Sequence, residues 1–276
     1  MPNTIKRVLA VNDISCFGKC SLTVTLPILS RFGVEAVPLP TAILSTHTGD
    51  FSKPTCLDMT EEMERIFAHW ETFGLKFDCV YTGYMHEKQL DVAMKLVSTY
   101  ASRGSMILVD PVMGDNGKMY SGFGGDYPKK MAALCQKANV ITPNLTEAAL
   151  LTGTPYKSVF EKEELSGLYK KIAGLTDAKT VITGVRPNET EIGDVVLDGE
   201  GNVVYEKYLP ATNRRLHGCG DVFASVLCAR LVNGEEWIQA VEKAQMFTGR
   251  AIEETNKDAE NHWYGLRFEA LMDERF

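Results

Sequence analysis

Residues 139–153 read NVITPNLTEAALLTG, and the order of residue types in that stretch decides the fold. Asn139–Thr142 is a short β-rich run. It is stopped by Pro143, which lacks an N–H and suits the first turn of a helix or the approach to it. Asn144 follows at once, with Glu147 three residues further on and therefore on the same helix face. A strand that passes directly into a helix is half of a β-α-β unit.

The same unit recurs in both directions. Upstream, strands are expected at Lys6–Val11, Val34–Leu39, Cys79–Thr82 and Met106–Asp110. Between them lie helices at Lys19–Phe32, with Pro27 as a kink, at Thr60–Phe73 and at His86–Ser102. Met63, Ile66, Phe67 and Trp70 share one face of the second and read as core. Downstream come a helix at Glu161–Leu175, a strand at Thr180–Thr183 and a hairpin of Ile192–Leu197 with Val203–Tyr208. Helices at Gly218–Val232 and Glu235–Glu254 finish the body, and the tail after Asn256 reads as a surface helix. The rhythm argues for an α/β fold, three layers αβα with a central, mostly parallel sheet. With no linker and no internal repeat, residues 1–276 read as one domain.

Composition narrows the function. The chain has 276 residues, 45% hydrophobic and 24% charged, which excludes disorder and coiled coil. A formal net charge of −7 leaves no basic face, so nucleic acid is not an expected partner. No run approaches the ~20 apolar residues of a membrane span. The start, MPNTIKRVLAV, lacks a secretory h-region. Seven cysteines without framework spacing read as free thiols in a reducing, cytoplasmic compartment.

Ligands of such sheets bind beyond the carboxyl ends of the strands, and polar residues gather there: Asn12-Asp13, Thr82-Gly83-Tyr84, Asp110, Thr142–Asn144 and Thr183-Gly184. The strongest local signal is Gly218-Cys219-Gly220-Asp221 opening an apolar helix. Unpaired amides at a helix start bind anions, and glycines let phosphate come close. A carboxylate beside that phosphate can accept a hydroxyl proton during phosphoryl transfer. Asp221 could equally be a helix-start acid after a tight turn. Asn144 and Glu147 offer oxygens suited to Mg²⁺, usually through water, or form a capping box. Asp110 and Asp115, in DPVMGD, could hold a cation or cap a turn. The glycine-rich stretch Gly114–Tyr127 reads as a flexible loop or lid. Other matches fail. Gly18-Lys19-Cys20-Ser21 lacks the P-loop's leading glycine, since Asp13 stands there. His47, His69, His86, His217 and His262 have no metal-ligand spacing, nor do Cys16 and Cys20.

Taken in order, these segments resemble the ribokinase-like superfamily and, within it, the vitamin B6 kinases, from about Val8 to Glu254. The carrying segments are RVLAVNDISCFGKCSL, Ser45–Gly49 (STHTG), Tyr81–Tyr84 (YTGY), DPVMGD with Met119-Tyr120, ITPNLTEAALLTG and HGCGDVFAS. The resemblance implies an ATP-dependent kinase that phosphorylates the 5′-hydroxymethyl group of pyridoxal, pyridoxine or pyridoxamine. In it Asp221 is the base and Gly218, Cys219 and Gly220 form the anion hole. Asp110, Asn144 and Glu147 organise Mg²⁺ and the ATP phosphates, with Thr142 near a site for a monovalent cation such as K⁺. Thr183 and Gly184 lie on the nucleotide side, Asp13, Thr48 and Tyr84 on the acceptor side, and Tyr120 in the lid. A homodimer is implied as well. Two positions depart from the B6 pattern. Asp13 replaces a usual serine, which brings in hydroxymethylpyrimidine kinases of thiamin synthesis as a rival, since they carry an Asp in the corresponding turn. Cys219 replaces a usual threonine. At a helix start its thiol is expected to be acidified and open to an aldehyde substrate, unless it is simply a small packing residue. A nucleotide-binding regulator without catalysis is the rival from another class.

Overall fold

Along Lys6–Phe17 (β1), every side chain from Val8 to Asp13 is buried, as expected of a strand covered on both faces. Leu9 and Val11 enter one core and Val8 the other, so the sheet separates two hydrophobic layers. In the computed structural model of the chain the described residues are 5–211, 214 and 216–273. After β1 come α1 (Leu22–Arg31), β2 (Val34–Thr46), β3 (Cys56–Asp58) and α2 (Thr60–Glu71). Next are β4 (Cys79–Thr82), α3 (Gln89–Ala101), β5 (Met106–Val109) and a small hairpin of β6 (Gly114–Asp115) and β7 (Lys118–Met119). The second half holds α4 (Tyr127–Cys135), β8 (Val140–Ile141), α5 (Leu145–Thr152), α6 (Lys162–Ala173) and β9 (Lys179–Val185). It closes with β10 (Glu191–Leu197), β11 (Val203–Pro210), α7 (Cys219–Val232), α8 (Trp237–Asn256) and a 3-10 turn at Phe268–Leu271.

Nine strands form one sheet in the order β11-β10-β9-β8-β5-β4-β1-β2-β3. From β9 to β2 all neighbours are parallel, while β3, β10 and β11 pair antiparallel. Helices α2 to α6 pack on one face, and α1, α7 and α8 on the other. This is the three-layer, ribokinase-like architecture. The chain steps from β1 to β2 on one side and later lays β4 on the other. Strand order therefore reverses between β1 and β4, and the crevice beyond their carboxyl ends is where a ligand belongs. Helix α7 buries all of Val222–Ala229, which explains why its sequence is apolar all round. Each fully buried Val, Leu or Phe there contributes about 1.5–3 kcal/mol.

Four expectations need correction. β1 and β2 continue past Val11 and Leu39 to Phe17 and Thr46, because they pair with each other beyond the sheet body and β3 adds to their far end. The first helix begins at Leu22 rather than near Lys19: Gly18 and Ser21 have φ of 99° and 59°, and Lys19 bridges to Gly265. The glycine-rich stretch is not all loop, for Gly114–Met119 is a hairpin. Its turn residues, Asn116 and Gly117, have φ of 50° and 75°, as a type I′ turn demands. The tail is not a surface helix, since Leu266, Phe268 and Leu271 are buried against α8 and join the α1–α7–α8 core. The β10–β11 hairpin and the helix after Gly218 lie where the sequence places them.

Candidate active site

The crevice between β1 and β4 is built by a few close approaches. Asn12, at the end of the β1 body, accepts hydrogen bonds on Oδ1 from the amides of Asp13 (3.0 Å) and Tyr84 (2.7 Å). It can cross to β4 because residue 83 is glycine; a Cβ there would overlap the Asn12 amide. Opposite Asp13 the β1–β2 register slips, so that Thr41 and Ala42 face one residue. Such bulges re-aim side chains beside active sites. Asp13 is buried and accepts from Ser15 Oγ (2.9 Å) and from Ser21 Oγ. Burial raises its pKa, and the two hydroxyls partly restore the carboxylate. Tyr84, whose carbonyl accepts from Thr41 Oγ1 (2.8 Å), lies 5.6 Å from the Phe123 ring, and Phe123 stacks on Tyr127 at 4.0 Å. Burial, then the charge of Asp13, pushes the Tyr84 hydroxyl up to about 12, so it stays a neutral donor.

Helix α7 points its amino end at this crevice. Gly218 caps it with φ of 82°, and a Cβ there would run into the Lys19 carbonyl. Gly220 is exposed and lies beside Asp110, so the amides of the first turn are open to a ligand. Asp221 is half-buried in that turn. Burial pushes its carboxyl up to about 7, the Ser21 amide opposes this, Asp13 adds to it and Asn12 opposes it. Asn12 Nδ2 has no partner within hydrogen-bond distance but lies near enough to Asp221 to favour its carboxylate. Cys219 departs from expectation. Burial, then the charges of Asp115 and Asp221, pushes its thiol up to about 12, the opposite of the acidified cysteine that a helix start alone predicts. Its Sγ lies 3.8 Å from the Leu216 carbonyl, as a packing residue's would.

Across the crevice, α5 supplies the second polar wall. Asn144 and Glu147 do form the capping box: Asn144 Oδ1 accepts from the Glu147 amide and Glu147 Oε2 from the Asn144 amide, both at 2.9 Å. Glu147 Oε1 also accepts from the Met113 amide (3.0 Å), and Asn144 Nδ2 donates to the Gly114 carbonyl (2.9 Å). The cap is thus tied to the β6–β7 hairpin. Burial pushes Glu147 up to about 8, held back by the amides of Asn144, Met113 and Gly114. Asp110 rises well above the carboxylate range through burial, Glu147 and Asp221, in that order. Three carboxylates thus repel across one recess, which favours whatever brings positive charge. Among the described residues no three acidic, His or Cys side chains form a ready cage for a metal ion. Glu147 and Asn144 are committed to amides, so the donor set suits a hydrated Mg²⁺ carried by phosphates better than a bare ion. Thr82 Oγ1 and Thr142 Oγ1, at the ends of β4 and β8, are buried without partners. Thr183 donates its amide to the Pro143 carbonyl (2.9 Å), and Gly184 follows at φ of 68° with open space where a Cβ would stand. Tyr120 is half-buried in the hairpin's exit, and burial, then the charges of Glu147, Asp115 and Asp221, raises its hydroxyl.

Asp13, Tyr84, Asp110, Tyr120, Asn144, Glu147, Gly220 and Asp221 are thus gathered around one recess, with Thr142 and Thr183-Gly184 at the neighbouring strand ends. Thr48 is exposed on the loop after β2. Sequence reading left Asn12, Ser15, Ser21, His47 and His217 without roles. Ser21 ends the very stretch that fails as a P-loop, and a positive-φ serine there has no sequence signature. His47 and His217, which have no metal-ligand spacing, meet Tyr264 and Asp50 instead.

The family model for phosphomethylpyrimidine kinase matches residues 26–265. The chain is 32% identical over 190 residues to the pyridoxine kinase of Bacillus subtilis, covering 67% of each chain. With the hydroxymethylpyrimidine/phosphomethylpyrimidine kinase of the same organism it shares 29% over 232 residues, 82% of this chain and 80% of the relative. The matches to the Staphylococcus aureus hydroxymethylpyrimidine/phosphomethylpyrimidine kinases, 31% identical over 143 residues, span about half their length (51%) and 50% of this chain. Among solved structures, pyridoxal kinase of Lactobacillus plantarum superposes with a TM-score of 0.86 at 31% identity, over 98% of this chain and 96% of that one. A Bacteroides thetaiotaomicron protein assigned as a phosphomethylpyrimidine kinase and solved with pyridoxal gives 0.91 at 33%, over 98% and 95%. The chain therefore belongs to the phosphomethylpyrimidine kinase family, on a ribokinase-like fold.

Proposed function

We propose that this chain is a single-domain kinase that moves the γ-phosphoryl group of ATP to the 5′-hydroxymethyl group of pyridoxal, pyridoxine or pyridoxamine. The observation that carries the reading is the carboxylate of Asp221 in the open first turn of α7, facing the crevice where β1 and β4 diverge. The acceptor ring fits between Asp13, Tyr84 and the loop bearing Thr48, with its hydroxymethyl group toward Asp221. Asp221 takes the hydroxyl proton as the oxygen bonds to the γ-phosphorus and ADP leaves. The amides of Gly218, Cys219 and Gly220 receive the charge on the migrating group. On the nucleotide side Thr183 and Gly184 face ATP, and Tyr120 on the hairpin covers its phosphates. Mg²⁺ neutralises charge on the phosphates when bound, and Asp110, Asn144 and Glu147 would hold it through water. The unpartnered hydroxyl of Thr142 would suit a monovalent cation. Closure of the hairpin excludes water and so suppresses ATP hydrolysis.

A second reading, phosphorylation of hydroxymethylpyrimidine, is favoured by one residue. Asp13 stands where a carboxylate can meet the ring nitrogen or amine of an aminopyrimidine, and the matching family model is named for a kinase of the related phosphomethylpyrimidine. Kinase membership, with an aspartate at the phosphoryl position, weighs against a non-catalytic regulator. One experiment decides: each of pyridoxal, pyridoxine, pyridoxamine and hydroxymethylpyrimidine is presented with MgATP, and ADP release is measured. The highest kcat/KM on a B6 vitamer is expected. Turnover of hydroxymethylpyrimidine alone overturns the first reading, and turnover of none overturns both.

A further inference from the structure

We propose that His217 is a positioning residue, a strap that ties the acceptor-side loop at residues 47–51 to the start of α7, so that the position of that loop and the phosphoryl cradle are set together. The proposal rests on the kinase reading above for what the two ends do, but its geometry stands on its own. His217 directly precedes Gly218, the cap of α7, so displacement of its ring acts on the backbone that begins the cradle. Its Nε2 lies 2.8 Å from Asp50 Oδ2. The His217 side chain is only 12% exposed against 46% for Asp50, so the ring is held by packing rather than by this hydrogen bond alone.

The loop is shaped to receive that ring. A Cβ on Gly49 would stand 2.5 Å from His217 Cε1 and 2.8 Å from its Nδ1, so glycine is required for the approach. The His47 ring lies 4.7 Å from the His217 ring on the other side. His47 is itself fixed. Its Nδ1 accepts the Gly49 amide (3.0 Å), which leaves the proton on Nε2 to be donated to the Tyr264 carbonyl at 2.8 Å. Burial holds it neutral by lowering its pKa. Phe51 packs on Trp263 at 4.8 Å and Phe17 on Tyr264 at 4.8 Å. The loop is thus fastened to the C-terminal segment through His47 and Phe51, and to the phosphoryl side through His217. Thr48, the acceptor-side threonine, lies within it. An isolated polar contact at the surface would be worth little. This one joins the two halves of a reaction site that are 167 residues apart in sequence.

The test compares wild type with His217→Asn, Asp50→Ala, the double variant and Gly49→Ala. The readouts are acceptor KM, ATP KM and amide hydrogen exchange of residues 47–51 in the ligand-free protein. Each single variant is expected to raise acceptor KM by about fivefold to tenfold, the range of a lost charge-assisted hydrogen bond. ATP KM is expected to stay within about twofold, kcat to fall because the start of the cradle shifts with the ring, and exchange at 47–51 to quicken while core strands are unchanged. The double variant should be no worse than either single one, because both remove the same link. Gly49→Ala, whose Cβ would crowd both the His217 ring and His47 Nδ1 (2.8 Å), should quicken exchange at 47–51 at least as much as His217→Asn. Unchanged exchange, additive effects of the two singles, or an equal rise in both KM values would overturn the strap. If wild type turns over no acceptor, the kinase reading fails, while the exchange measurement still decides the strap.

Discussion

Asp221 is pulled in two directions. Burial and Asp13 favour its acid form, while the Ser21 amide and Asn12 favour the carboxylate, and the balance lies at about 7. A base with that pKa is half ionised near neutrality and still basic enough to take an alcohol proton as phosphorus is attacked. Asp221→Asn keeps the shape and removes the base. It is expected to lower kcat by about 10²–10⁴-fold with ATP affinity retained, checked by steady-state turnover and nucleotide titration. On the proposed reading the carboxylate is the working form, so wild-type kcat/KM should rise with pH through about 7 and level off above it. Near-normal turnover by the Asn variant would remove Asp221 from the chemistry. The neighbouring residue gives the opposite kind of prediction. With its thiol pushed up to about 12, Cys219 holds almost no thiolate at neutral pH. Iodoacetamide at pH 7.5 should therefore label the exposed Cys16 well before Cys219, as read by peptide mass mapping. Equal rates would restore the reactive-cysteine expectation.

At the scale of elements, the capping box of α5 raises a question that deletion alone cannot answer. Asn144→Ala removes the cap and should cost about 1 kcal/mol of stability whether or not the residue organises Mg²⁺. Asn144→Asp caps as well but cannot donate to the Gly114 carbonyl. The Ala variant should therefore lose stability while the Asp variant keeps it, and both should need more Mg²⁺ for half-maximal rate. A Mg²⁺ titration unchanged in both variants would leave α5 a purely structural cap. The box itself was legible because Asn-x-x-Glu is a local pattern, as was the glycine-led start of α7. Asn116-Gly117 was a local signal too, but its strands are two residues each, too short to show alternation, so glycine content suggested a lid and hid the hairpin. The extensions of β1 and β2 were illegible for a different reason. Ile14–Phe17 and Pro40–Thr46 become strand by pairing with each other, and the register slip opposite Asp13 has no sequence mark. The tail misled in the same way. Leu266, Phe268 and Leu271 look like scattered apolar residues until α8 offers them a surface.

Across the whole molecule, one recess gathers carboxylates whose pKa values folding raises, and this sets how stability responds to pH. Glu147 stands at about 8 and Asp221 at about 7, and Asp194, buried in β10 beside Gly184, is also pushed up to about 7. Asp110 moves in the same direction. In the unfolded chain these groups ionise near pH 4, so between about 4 and 8 the folded state binds more protons than the unfolded one. Stability then falls as pH rises through that window. Carboxylates with lowered values, such as Asp58, Asp78 and Asp198, change charge at lower pH and leave most of the window clear. His47, lowered by burial, acts in the other sense but only below its ordinary pKa near 6.5. The ligand-free protein should therefore melt a few degrees lower at pH 8 than at pH 6.5, at about 2–4 °C per kcal/mol for a chain of this size. Asp221→Asn should flatten that slope, because it removes one repelling charge from the recess. Mg²⁺ with ATP should flatten it as well, since bound cations favour the ionised forms and binding stabilises the folded state by mass action. Scanning calorimetry at the two pH values, on wild type and variant with and without MgATP, reads all three. A wild-type melting temperature that rises over this interval would mean that the acidic recess does not control the pH response, and that the carboxylates are ionised and paired before any nucleotide arrives.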